Sequence, residues 1–144
     1  VVLAQDGKSV IRLTVYVNGE FLYSIQGDGM IFATPTGSTA YNLSANGPIV
    51  DPKMEVILMT PINPHTLNSR SSIVLDTRDE ISIEITPRRS TAKEAATVLF
   101  DGSFPYEVEP GDKLIVKKSQ YKTKMIFIKQ MSFLERMRNK MQEN

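Results

Sequence analysis

Along most of the chain, hydrophobic and polar residues alternate with a period of two, the signature of half-buried β-strands. Residues 10–17 put Ile11, Leu13, Val15 and Val17 on one face and Arg12, Thr14 and Tyr16 on the other. Asn18-Gly19 supplies a type I′ turn, in which both central residues take positive φ. Phe21, Tyr23 and Ile25 then form the inward face of the returning strand. Gly27-Asp28-Gly29 reads as a second turn. Residues 30–34 are almost continuously apolar, which predicts a central strand covered on both faces, and Pro35 stops its ladder. Residues 36–45 are small and rich in hydroxyls that suit a helix start. Ala40, Leu43 and Ala45 favour a short helix, which Asn46-Gly47-Pro48 ends.

Further strands are expected at 56–60 (closed by Pro61), 72–75, 81–85 (where Ile81, Ile83 and Ile85 alternate), 97–100, 106–108, 114–117 and 125–128. Asp76-Thr77-Arg78-Asp79, Asp101-Gly102 and Pro110-Gly111-Asp112 supply turns between them. Residues 61–69 form a loop, and residues 87–93 a polar, mobile connection. After residue 131 the period changes to that of a helix. Ser132 can cap it with Glu135 as capping-box partner, Leu134, Met137 and Met141 share a face, and Arg136 and Lys140 form an exposed polar stripe. A helix this short needs a surface to pack on. Eight to ten short strands, with no helix long enough for βαβ crossovers, predict a mainly β fold: a two-sheet antiparallel β-sandwich with one short inserted helix and a C-terminal helix.

At 144 residues the chain reads as one domain, residues 1–144. A formal net charge of +1 offers no concentrated basic surface for nucleic acid, and Lys113, Lys117, Lys118, Lys122 and Lys124 read as a solvated face. The chain has no cysteine, which removes disulfides, thiolate metal sites and thiol nucleophiles. No apolar run is long enough to cross a membrane, no leader pattern opens the chain, and the expected compartment is the cytoplasm. The start at Val1-Val2-Leu3, without Met, suggests a piece of something longer.

Gly7-Lys8-Ser9 ends like a phosphate-binding P-loop, but Val2 stands where the upstream glycine belongs and a strand follows, so it carries no weight. One histidine, His65, makes a metal cluster unexpected. The serious candidate is the stretch 28–44. Asp28, between two glycines, could grip a ribose hydroxyl pair; a turn aspartate bonding its own backbone is the competing role, and the residues alone favour it. Thr36, Ser38 and Thr39 surround Gly37 at a helix start whose free N–H groups suit an anion or a base edge, and Tyr41 could stack on a planar ring. A plain capped helix explains the same hydroxyls equally well. Asp101-Gly102 reads as a turn. His65, Arg70, Arg88 and Arg89 could contact phosphate by charge alone.

The run from Gly27-Asp28-Gly29 through Thr34-Pro35-Thr36-Gly37-Ser38-Thr39-Ala40-Tyr41-Asn42-Leu43-Ser44 to Gly47-Pro48-Ile49-Val50 resembles the second signature of the NAD kinase family. Thr60-Pro61-Ile62-Asn63-Pro64-His65 and Phe100-Asp101-Gly102 resemble later elements of that family, and residues 136–140 suit its closing helix. The resemblance spans essentially the whole chain and is to the family's carboxyl-terminal domain, a two-sheet β structure. It implies transfer of a phosphoryl group from ATP or inorganic polyphosphate to the 2′-hydroxyl of the adenosine ribose of NAD, giving NADP, with a divalent cation, usually magnesium. It further implies dinucleotide contacts at Asp28 (often from a neighbouring subunit), Thr36, Thr39, Ala40, Tyr41, Ser44, Asp101 and Gly102, and a homo-dimer or homo-tetramer. Asn46 and Asn63 replace residues that are often Gly and Cys in the family. The Gly-Gly-Asp-Gly motif and the Asn-Glu pair of the family's preceding α/β domain are absent. No catalytic or metal-binding residue is therefore assigned here, the chain alone is expected to be inactive, and the helix at 132–141 is expected to pack on the missing amino-terminal domain. A related lipid or sphingoid-base kinase domain and a non-catalytic nucleotide-binding β domain are the alternatives.

Overall fold

A computed structural model describes residues 1–5, 10–65, 71–86, 96–126, 128 and 131–142. Among the described residues ten strands form two antiparallel sheets. In chain order they are β1 (Val2–Gln5), β2 (Ile11–Val17), β3 (Glu20–Gly27), β4 (Gly29–Ala33), β5 (Val56–Ile62), β6 (Ile73–Asp76), β7 (Ile81–Thr86), β8 (Ala96–Phe100), β9 (Ser103–Val108) and β10 (Lys113–Val116). The larger sheet runs β6-β5-β4-β1-β8-β9 and the smaller β10-β7-β2-β3. Between β4 and β5 lie a 3₁₀ turn, Thr36–Thr39, and a one-turn helix α1, Tyr41–Ser44; helix α2, Phe133–Gln142, follows the strands. This is the expected two-sheet sandwich with its short inserted helix and its C-terminal helix.

The core lies between the sheets. Ile11, Leu13, Val15, Ile25, Ile81, Ile83 and Ile85 face it from the smaller sheet, and Leu3, Met30, Phe32, Met59, Ala96 and Val98 from the larger. β4 is central and covered on both sides, as its unbroken apolar run predicts. Met30 and Phe32 belong to the core, while Ile31 is buried on the opposite face of the sheet, beneath the inserted segment.

Several expectations are corrected. Phe21 does not face the core. A bulge opposite Val15 and Tyr16 sets Tyr16 against Phe21, so Phe21 turns outward, 59% exposed, and meets the Tyr16 ring edge-on at 5.9 Å. Pro61 does not close its strand: β5 continues to Ile62. Pairing with β6 ends at Met59, so the donor that Pro61 lacks falls where no neighbouring strand needs it. Val2–Gln5, with too few residues to show alternation, is a strand between β4 and β8. Met125 and Ile126 are not in a strand, and Ile126 is 90% exposed. The 87–93 connection, the Gly7-Lys8-Ser9 triplet, Arg70, Arg88 and Arg89 lie outside the described residues.

Gly27-Asp28-Gly29 is not a hairpin turn but the corner where the chain leaves one sheet and enters the other. Both glycines are there for close backbone approach. A Cβ on Gly27 would lie 2.8 Å from the Ile62 carbonyl oxygen, and one on Gly29 would run into the Leu3 carbonyl oxygen.

Candidate functional site

The inserted segment lies on the outer face of the larger sheet, and its side chains divide into two sets. Ser38 and Asn42 are buried to 0% and 1% exposure, whereas Thr36, Ala40, Tyr41 and Ser44 are exposed and Thr39 is half-buried. The inward pair bonds the segment to the sheet and to the loop that follows. Ser38 Oγ donates to the Pro35 carbonyl at 2.6 Å and accepts the Val50 N–H at 3.1 Å. Asn42 Nδ2 donates to the carbonyls of Ser38 at 3.0 Å and Pro48 at 3.1 Å, and its Oδ1 accepts the Thr60 hydroxyl of β5 at 2.7 Å. Ser72 Oγ lies 2.9 Å from the same Thr60 oxygen. Gly47 packs so closely on Asn42 that a Cβ there would overlap its carboxamide. Nothing in the sequence marks Asn42 as the anchor: it stands among helix-forming residues, and only the sheet beneath determines that it points inward.

The expectation of free N–H groups at the start of this segment is corrected in part. The Gly37 N–H donates to Thr34 Oγ1 at 3.2 Å, Ser38 N–H to the Pro35 carbonyl at 3.1 Å and Ala40 N–H to the Gly37 carbonyl at 3.0 Å. Neither N-cap residue, Pro35 for the 3₁₀ turn or Ala40 for α1, caps with its side chain. What the segment presents outward is therefore side chains: the hydroxyls of Thr36, Thr39 and Ser44 and the Tyr41 ring, which is 51% exposed. Asn46, in place of the family's common glycine, ends the segment in the left-handed region at φ 62°, a conformation asparagine tolerates.

Opposite this wall stands α2. Its capping serine is seen, with Glu135 N–H donating to Ser132 Oγ at 3.1 Å. The expected apolar face is only partly covered: Phe133 and Met137 are half-buried, whereas Leu134 and Met141 are 69% and 66% exposed, and Phe133, Met137 and Met141 line the side towards the inserted segment. Arg136 and Lys140 do not simply form a solvated stripe. Both line a cavity of about 400 Å³ between α2 and the segment, whose other wall includes Thr36, Thr39 and Leu43. Lys140 Nζ donates to the Thr39 carbonyl at 2.6 Å.

The remaining candidates separate along β4. Asp101-Gly102 forms the tight turn between β8 and β9, with φ of 49° and 74°. It lies at the end of the sheet where β4 runs into Thr34–Thr36, because Val2 pairs with both Ile31 and Leu99. Val1 stands there too, its nitrogen bonded to the Phe32 carbonyl at 2.8 Å. Asp28 occupies the other end. Its carboxylate accepts Gln5 Nε2 at 3.1 Å and Asn63 Nδ2 at 2.8 Å, and Asn63 sits at φ 43° to reach it. His65 is exposed nearby, with its N–H bonded to the Gln26 carbonyl at 2.8 Å. Six residue steps, roughly 20 Å at about 3.3 Å each, separate Asp28 from Thr34. The segment then folds back over the sheet, where Asn42 bonds Thr60, the partner of Ile31 in the middle of β4.

Among the described residues no three His, Cys, Asp or Glu side chains converge on a point that could hold a metal ion. No helix among them is long and apolar enough to cross a membrane.

Comparison with known proteins places these features in a lineage. Residues 1–128 match the family model of the ATP-NAD kinase C-terminal domain. The chain is 51% identical over 132 residues to an NAD kinase of Agathobacter rectalis, covering 92% of this chain and 46% of that protein. It is 43% identical over 141 residues to an NAD kinase of Lachnoclostridium phytofermentans, covering 97% and 49%. Among solved structures, yeast NADH kinase in complex with NADH superposes with a TM-score of 0.71 at 37% identity, covering 81% of this chain and 32% of that one. An NAD kinase from Archaeoglobus fulgidus in complex with ATP superposes with a TM-score of 0.68 at 27% identity, covering 83% and 45%. The chain thus spans about half the length of the NAD kinases it matches in sequence.

Proposed function

The chain belongs to the ATP-NAD kinase C-terminal domain family, and from that premise we propose that it forms the dinucleotide-contacting wall of an enzyme that moves a phosphoryl group from ATP or polyphosphate to the 2′-hydroxyl of the adenosine ribose of NAD. One observation carries this reading. The five expected contact residues of the inserted segment, Thr36, Thr39, Ala40, Tyr41 and Ser44, are all exposed or half-buried, while the residues between them anchor the segment to the sheet. The result is a fixed backbone that displays hydroxyls and one aromatic ring, a surface suited to ribose and a purine.

Asp101 and Gly102 contribute from the same end of the sheet. Asp28 contributes from a second copy of the chain. As the family resemblance implies, a homo-oligomer supplies an Asp28 carboxylate, already oriented by Gln5 and Asn63, to its neighbour's wall. The divalent cation and the acid that organise phosphoryl transfer are assigned to the amino-terminal α/β half, where the resemblance places the family's Gly-Gly-Asp-Gly motif. Such transfer depends on positioning and charge stabilisation around the phosphates. The chain alone consequently binds dinucleotide but does not turn it over.

Calorimetric titration of the 144-residue chain with NAD and with NADP tests this. Binding that weakens strongly in Tyr41→Ala and in Asp28→Ala is the expected result. Binding indifferent to both substitutions would remove the site from this surface. Coupled NADP production near the 1 s⁻¹ or more usual for kinases would overturn the division of labour between the two halves.

A further inference from the structure

We infer that Asn42 is a positioning residue for dinucleotide binding, acting through its bond to Thr60. This rests on the dinucleotide reading above. Thr39 and Tyr41 belong to a 3₁₀ turn and a one-turn helix, and elements of that length do not hold their own geometry. Neither N-cap residue, Pro35 or Ala40, offers a side-chain cap. Bonds from beneath must hold the segment, and the buried Asn42 carboxamide spends both N–H donors and one acceptor lone pair on that purpose. One Nδ2 bond takes the Ser38 carbonyl, immediately before Thr39, and the other takes the Pro48 carbonyl, beyond the end of α1. Its Oδ1 receives the Thr60 hydroxyl from β5. The segment's entry and its exit are thereby tied to a single point on a central strand of the larger sheet.

The chemistry makes this arrangement directional. An amide at position 42 can donate twice and accept once; aspartate cannot donate, and alanine or serine cannot span the distances. Thr60 is 1% exposed, so without Asn42 its hydroxyl has Ser72 Oγ, 2.9 Å away, and not water to turn to, and the tie to the segment is lost. Gly47 leaves room for the carboxamide. Asn42 touches no expected ligand atom, so its influence is exerted entirely through where it holds Thr39 and Tyr41.

The test uses position 60, where the bond can be removed with little change in shape. Thr60→Val keeps the side-chain volume and deletes the hydroxyl; Thr60→Ser keeps the hydroxyl and deletes a methyl group. NAD affinity of the 144-residue chain is measured by calorimetry at a temperature well below each variant's unfolding midpoint. The expected result is affinity roughly tenfold weaker in Thr60→Val, from loss of about one buried hydrogen bond's worth of positioning, and restored to within about threefold in Thr60→Ser. Asn42→Ala should weaken it further; should that variant fail to fold, the position-60 pair still decides. A folded Thr60→Val protein that binds NAD as tightly as the unaltered chain overturns the inference and leaves the dinucleotide reading standing. An unaltered chain that binds no NAD overturns both.

Discussion

Lys140 and Thr39 lie 101 residues apart in sequence, and the Lys140 ammonium donates to the Thr39 carbonyl at 2.6 Å. Through this bond the C-terminal helix meets the same short turn that Asn42 holds from beneath. Lys140→Met keeps the apolar stem that lines the cavity and removes the donor. A hydrogen bond from a charged but exposed group is worth about 1 kcal/mol. Amide exchange across Phe133–Gln142 should therefore quicken about fivefold while exchange in β2 stays unchanged. Equal exchange in both proteins would mean that α2 is held by its apolar face alone.

Gly29 faces the Leu3 carbonyl oxygen with no room for a Cβ. The obstruction is backbone in a central strand, which cannot give way as a side-chain end can. Gly29→Ala should lose stability at or above the upper end of the roughly 1–3 kcal/mol that overpacking costs. Gly19→Ala, with nothing near its Cβ position but a φ of 82°, should lose less, about 1 kcal/mol. Paired urea melts check the order.

Burial pushes the Tyr23 hydroxyl pKa up to about 12, and that hydroxyl has no hydrogen-bond partner among the described residues. A raised folded-state value means that the fold favours the protonated form. Its contribution is complete below the unfolded value of about 10 and is lost as the pH rises through about 12. Absorbance titration should show one tyrosine ionising late, and Tyr23→Phe should abolish that step. Because the substitution removes an unpaired polar atom, stability at neutral pH should be unchanged or higher by up to about 1 kcal/mol.

The Arg78 side chain holds the Asp76 carboxyl down to about 2, chiefly through a direct hydrogen bond, with the Arg78 backbone N–H adding to it. A depressed value contributes stability above the ordinary aspartate range near 3.9, which is lost as the pH falls through about 2. In a carbon-detected NMR titration, Arg78→Ala should move the Asp76 midpoint upward. An unmoved midpoint would show that the backbone bond alone sets it.

Sequence periodicity carried the strands because each strand with an alternating face packs against one core. Ile11, Leu13 and Val15, and likewise Ile81, Ile83 and Ile85, are buried as their spacing requires. Phe21 broke the rule because a bulge, a feature of how two strands pair, shifted its phase by one residue. β1 was illegible because four residues carry too little alternation, and the exposed 125–126 stretch is apolar without belonging to a sheet. On the inserted segment, the motif marked the stretch but not its internal logic. Thr36, Ser38 and Thr39 are chemically alike, and only the bonds to the Pro35 carbonyl and the Val50 N–H separate the buried serine from the outward threonines.

The amino-acid order by itself determined the sandwich class, the Asn18-Gly19 hairpin, the capped C-terminal helix and the family, since each is written in local pattern or in a contiguous motif. Tertiary structure alone decided that Asp28 is bound by Gln5 and Asn63, that Asn42 points inward onto Thr60 and that Lys140 reaches Thr39. Those facts depend on which strands become neighbours and how the sheet ends are placed, and such distances are set by long-range pairing that no local spacing encodes.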